Sequence, residues 1–143
     1  MTPPTAAFLD SNIWLYAFIS GQDPQKRAQA LALIADTSPI VVSTQVINEV
    51  CVNLLRKQRA TEQAILDLID DFYGLYTVVP SDQHQFVQAS TLRTHYTISY
   101  WDSLIVAAAL AARVPILYSE DMQDGLIVDG SLRIVNPFRH DPA

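Results

Sequence analysis

The chain has 143 residues, half of them hydrophobic and 17% charged, which fits one globular domain over residues 1–143 and excludes a disordered or fibrous chain. Its formal net charge of −6 argues against broad binding of nucleic acid through a cationic face, because that needs clustered cations to neutralise phosphates. The longest strictly apolar run, Leu104 to Ala112, is too short to span a bilayer; "MTPPTAAFLD" shows no signal-peptide pattern; and Cys51, the single cysteine, permits no internal disulfide, so a cytoplasmic protein without membrane attachment is expected.

Taken in chain order, "AAFLD" reads as a short buried strand ending at Asp10. "SNIWLYAFI" follows with helical spacing, with Ile13, Tyr16 and Ala17 on one face. Gly21 to Pro24 is a break, and Asp23-Pro24 is a helix start, an N-cap with proline at the first helical position. That helix should run to about Asp36 with Ala28, Leu31, Ala32 and Ala35 inward. Ser38-Pro39 is a turn and "IVVS" a second strand. "TQVINEVCVNLLRK" is a helix burying Val46, Ile47, Val50, Cys51 and Leu54, with "RKQR" supplying favourable cations near its end or, alternatively, a phosphate-contacting patch. A helix from Thr61 to about Tyr73 turns Ala64, Ile65, Leu68, Ile69 and Phe72 inward and stops at Gly74. "LYTVV" is a third strand, followed by a weakly patterned helix from Ser81 to about His95. Ser99 to Asp102 has the form of a capping box before a helix that is apolar nearly all round and therefore sandwiched in the core. "ILYS" and "LRIVN" are the fourth and fifth strands.

Strands that alternate with helices and read as continuous apolar runs predict an α/β fold with a mostly parallel sheet covered on both faces. In such a sheet, strand C-termini and helix N-termini share one rim, where open α/β folds bind ligands. Asp10, Glu49, Asp102 and Asp121 all map to that rim. Each has a structural alternative: Asp10 and Asp102 as helix caps, Glu49 as a solvated side chain, Asp121 as a loop residue, with Glu120 and Asp124 as competing acids. Together, converging carboxylates repel and need a countercharge, and oxygen ligands without nearby histidine or cysteine select Mg²⁺ or Mn²⁺. A bound cation reverses the local field, so a net negative chain can still act on nucleic acid. A glycine-rich phosphate loop and a G-x-S-x-G elbow are both missing, His84, His95 and His140 lack metal-ligand spacing, and the setting of Cys51 is that of an inert core thiol.

The segments "FLDSNIWLYA", "TQVINEV", "YWDSLIVAAA" and "LYSEDMQDG…LRIVNPF" resemble, in order and over nearly the whole chain, the acidic segments of PIN-domain nucleases, and most of all the VapC-type toxins of bacterial toxin–antitoxin pairs. The resemblance implies a PIN-like three-layer α/β/α sandwich with a central, mostly parallel five-stranded sheet. It implies a Mg²⁺- or Mn²⁺-dependent ribonuclease that cleaves RNA with a metal-activated water, forms a homodimer and is held by an antitoxin. Carried across, the metal-site and catalytic residues are Asp10, Glu49, Asp102 and Asp121, with Ser11, Asn12 and Ser119 as supporting polar neighbours. The competing expectation is a catalytically weak PIN-like module that binds RNA or protein.

Overall fold

The computed structural model describes residues 5–19 and 21–139. His140 lies outside the described residues, and so do the first four residues of the opening segment. The chain begins with β1 (Ala7–Leu9), α1 (Ser11–Phe18), α2 (Pro24–Asp36), β2 (Ile40–Ser43), α3 (Thr44–Lys57) and α4 (Glu62–Leu75). It continues with β3 (Thr77–Val79), α5 (Gln83–His95), α6 (Tyr100–Ala111), β4 (Ile116–Tyr118), β5 (Ile127–Val128) and β6 (Leu132–Val135). Helices cover both faces of a sheet ordered β3-β2-β1-β4-β6-β5, giving the expected three-layer sandwich. Every strand pair is parallel except β5 with β6.

The sheet has six strands, not five. The additional strand, β5, pairs antiparallel with β6 through Ile127–Arg133 and Val128–Leu132. Two residues are too few to show a period, but the turn signal is present: Asp129 and Gly130 both adopt positive φ, 50° and 68°, as a tight hairpin requires.

Strands β1 and β2 are fully buried, as their unbroken apolar runs require. α1 starts on Asp10, whose side chain accepts from the Ser11 backbone amide. It buries Ile13, Trp14 and Ala17, while Tyr16 is half-buried. The Trp14 indole donates to the Leu9 carbonyl at 3.2 Å and meets the Phe72 ring edge-on at 5.0 Å. That partner explains why a tryptophan can be buried here. α3 buries the expected stripe of Val46, Ile47 and Val50, with Cys51 and Leu54 packed against the core and Arg56 and Lys57 in its last turn.

Two helices depart from expectation. In α2 the inward residue is Ala30, with Leu33 and Ile34 half-buried, whereas Ala28, Leu31, Ala32 and Ala35 are exposed. An alanine-rich helix carries two candidate stripes; α2 presents the one with adjacent Leu33 and Ile34, and small Ala30 allows close approach. α4 passes through Gly74 and ends at Leu75, and Ala64 is exposed. Gly74 does not adopt positive φ, since the chain leaves the helix through an extended Tyr76 that enters β3 directly. α6 is buried continuously from Ser103 to Ala109, as an all-round apolar helix must be, and Arg113 at φ 58° turns the chain out of it.

The order of the sheet positions the site. The chain moves outward from β1 through β2 to β3, then returns to β4 on the opposite side of β1. The crevice at such a reversal lies outside the carboxyl ends of the two central strands. Asp10 follows β1 and Ser119 follows β4, and the Asp10 amide donates to the Tyr118 carbonyl at 3.0 Å across that seam.

Candidate active site

Asp10 is the innermost acid, only 5% exposed. One carboxylate oxygen accepts from the Ser11 amide at 2.7 Å and the other from the Ser119 hydroxyl at 2.8 Å. Burial drives its pKa up to about 7; the two hydrogen bonds oppose the rise, and the charges of Glu49 and Asp102 add to it. Glu49 is half-buried in the second turn of α3. Its carboxylate accepts from the Ser11 hydroxyl at 2.6 Å and from the Gln45 amide at 3.0 Å. Asp102, in the first turn of α6, is pushed up from the ordinary carboxylate range, first by burial and then by Asp121 and Glu49, against the Ser99 hydroxyl. Ser99 does cap this helix, accepting from the Asp102 amide at 3.1 Å.

Asp121 is exposed and tied by the Asn12 amide, which donates to it at 3.1 Å. The Ser119 hydroxyl also accepts from the Asp121 backbone amide at 3.3 Å. Ser11 and Ser119 therefore each link acids that arrive from different strands, and Asn12 ties α1 to the loop after β4. The two competing acids are engaged elsewhere. Glu120 is taken by Lys26 and by the Tyr16 hydroxyl, the latter at 2.7 Å. Asp124 accepts from the Asn136 amide at 2.8 Å and lies 3.6 Å from Arg139.

The structure thus gathers Asp10, Glu49, Asp102 and Asp121 at one rim with no pairing cation among the described residues. A buried carboxylate without a cationic partner is costly, and this donor set of hard oxygens suits a divalent cation. The acids are not drawn into a closed cage: no three described Asp, Glu, His or Cys side chains converge tightly enough to enclose an ion. Mutual repulsion accounts for that spacing, with Ser11, Gln45 and Asn12 holding the outer carboxylates on hydrogen bonds.

Gln45 escaped the sequence reading. Its amide bridges Glu49 and the Trp101 carbonyl at 3.0 and 3.3 Å, and its position four residues before Glu49 on one helix face was the available signal. Cys51 is half-buried, and burial raises its thiol pKa, as expected of an unreactive core thiol. His84 and His95 are exposed.

The PIN domain family model matches residues 7–123. The chain belongs to the PIN domain family. This PIN domain also shares its fold with solved structures. One, a toxin–antitoxin complex from Klebsiella pneumoniae, is 24% identical with a TM-score of 0.69, covering 94% of this chain and 99% of that one. Another, Mycobacterium tuberculosis VapC20, described as a sarcin-ricin loop cleaving toxin, is 18% identical with a TM-score of 0.62, covering 78% and 86%. FitAcB from Neisseria gonorrhoeae is 14% identical with a TM-score of 0.67, covering 94% and 99%. No curated protein sequence matches the chain. Among the described residues, no helix of this PIN domain is long and apolar enough to cross a membrane.

Proposed function

We propose that this PIN domain is a Mg²⁺- or Mn²⁺-dependent endoribonuclease, the toxin of a cytoplasmic toxin–antitoxin pair. The observation that carries the reading is the buried Asp10, which has no cationic side chain against it among the described residues and feels the charges of Glu49 and Asp102 at the reversal point of the sheet, with Asp121 acting on Asp102. Family membership and the toxin–antitoxin proteins among its structural relatives support the same reading.

Asp10, Asp102 and Asp121 are the residues that would hold the ion, with Glu49 at the edge of the group. When bound, such an ion lowers the pKa of a water and polarises a phosphoryl oxygen. Ser119 and Ser11 fix the Asp10 carboxylate, Asn12 fixes Asp121, and Gln45 fixes Glu49, so the acids are oriented before substrate arrives. In-line attack by water leaves a 5′-phosphate and a 3′-hydroxyl, and among the described residues no histidine pair lies at the rim to favour a 2′-hydroxyl route.

The partners follow from the surface. α3 and α4 expose Val52, Leu55, Leu66, Tyr73 and Leu75, an apolar face suited to an antitoxin segment or to a second copy in a homodimer.

The test is cleavage of end-labelled single-stranded RNA by purified protein, with Mg²⁺ or Mn²⁺ titrated against EDTA and Asp102→Asn as control. The expected result is metal-dependent cleavage with 5′-phosphate products, lost in the variant. Cleavage that survives EDTA, or an Asp102→Asn protein with wild-type activity, overturns the assignment.

A further inference from the structure

A concave cleft of about 520 Å³ opens beside the acidic rim, within the range of small-ligand sites. Its walls come from the starts of α3 and α6 and the residues that open α5: Thr44, Gln45, Asn48 and Glu49, then Trp101 and Leu104, then Ser81 and Phe86. Glu49 thus belongs to the rim and the cleft at once.

Two aromatic side chains stand open at this cleft, Trp101 at 65% exposure and Phe86 at 48%. Trp101 is nevertheless held in place. The Tyr100 ring meets it edge-on at 5.2 Å, the Arg93 guanidinium lies 4.7 Å from the Tyr100 ring centre, and Gln45 donates to the Trp101 carbonyl. An exposed tryptophan braced from behind keeps its face open without needing to order on binding. Hydrogen-bonding groups line the same cleft. Asn48 has no side-chain partner among the described residues, and the Thr44 and Ser81 hydroxyls lie 3.3 Å apart.

Aromatic faces next to amides and hydroxyls are what an unstacked nucleobase needs: stacking on its π-face and hydrogen bonds at its edge. A broad protein contact instead favours a flatter surface with a continuous apolar centre. We propose that this cleft seats one unpaired base of the RNA strand, stacked against Trp101 and contacted along its edge by Asn48 and Gln45, while the adjoining phosphodiester lies at the acidic rim. The proposal rests on the nuclease reading for its substrate class. It makes Trp101 a specificity-determining residue, and it makes the site selective for single strands.

Trp14 is 1% exposed, so Trp101 is the tryptophan whose emission a surface ligand can reach. The experiment is stopped-flow mixing of the full chain in Mg²⁺ with a single-stranded oligoribonucleotide, read before cleavage. Its comparators are the matched duplex and an abasic oligomer of the same length. Single-stranded RNA should quench Trp101, and the duplex and abasic oligomers should bind at least about tenfold more weakly. By anisotropy of labelled RNA, Trp101→Ala should lose about 10- to 100-fold in affinity and Trp101→Phe should stay within about threefold. If Trp101→Ala does not fold, Phe86→Ser and Asn48→Ala report on the same cleft.

Equal affinity for the abasic oligomer, or unchanged RNA affinity in a folded Trp101→Ala protein, overturns the base site. Sedimentation showing a dimer that Trp101→Ala dissociates, with no quenching by RNA, overturns it in favour of a second copy of the chain. Cleavage without Trp101 dependence removes the base site and leaves the nuclease. Quenching with the abasic penalty but no cleavage in any divalent ion removes the nuclease and leaves the base site.

Discussion

The inner and outer ends of the acidic rim carry the same functional group in opposite settings. Asp10 is buried between the two central strands and held by Ser119 and Ser11, and its pKa is raised to about 7. Asp121 is exposed on the loop after β4 and tied by Asn12. The inner acid is rigid and costly when ionised; the outer one is well solvated and adjustable. A rim built this way stores a demand for positive charge at one end and is open to solvent at the other.

The largest expected effect of breaking that contrast is on turnover. Asp10→Asn should lower RNA cleavage by about 10³-fold, whereas Asp121→Asn should cost nearer tenfold, because a solvated loop carboxylate is the easier one to replace with water. Steady-state rates at saturating metal check this. Equal losses would show that the difference in burial does not set the difference in role.

The next effect is on stability. The Asp10 carboxyl titrates near 7 in the folded chain against 3.8 for the free group, so between those values the folded state binds more protons than the unfolded one. Its contribution to stability is complete below the unfolded value and is lost as pH rises through about 7. Asp102 is shifted in the same direction. Metal-free protein should therefore lose stability from pH 5 to pH 8, by at most about 3 kcal/mol from Asp10. Asp10→Asn should flatten that slope and melt higher at pH 8. Calorimetric melts in EDTA at each pH decide it, and a wild-type curve that rises with pH would contradict the burial argument.

The smallest effect concerns the second anchor of the outer loop. Lys26 pairs with Glu120 and lies over the Tyr16 and Phe138 rings at 5.0 and 5.6 Å. The pair is partly exposed, so Lys26→Met should change unfolding free energy by less than about 1 kcal/mol. It should loosen Glu120 and Asp121 without touching Asp10. Hydrogen exchange at residues 119–122 should speed up, while exchange at residues 8–10 should not.

Much of this contrast was legible before the fold was known. β1, β2 and β4 are apolar runs with no alternative use, and α6 can only be a core helix, so the rim and its acids followed from topology. The failures share a cause. In α2 alanine is compatible with burial and with exposure, and the choice between stripes belongs to the neighbouring helix. α5 looked weakly patterned because it buries Gln85, whose Nε2 donates to the Leu104 carbonyl at 2.9 Å and whose buried Oε1 has no described partner, while Phe86 and Val87 point outward. Polarity inside and aromatics outside invert the usual signal, and the inversion lies beside the Trp101 cleft. Which of Glu120 and Asp121 faces the rim could not be read from adjacent positions on a loop; Lys26, more than ninety residues earlier, is what draws Glu120 aside.

The adjacency of β1 and β4 has a consequence for synthesis. Asp10 emerges from the ribosome early, yet its partner Ser119 lies 109 residues later, so the contact is among the last the growing chain can make. A nascent or truncated chain that ends before β4 carries Asp10, Glu49 and Asp102 but has neither the strand that closes the crevice nor Asp121. Interrupted translation before β4 therefore yields fragments without an assembled rim, and an RNA-cutting activity housed here would switch on only once the chain had been made through Asp121.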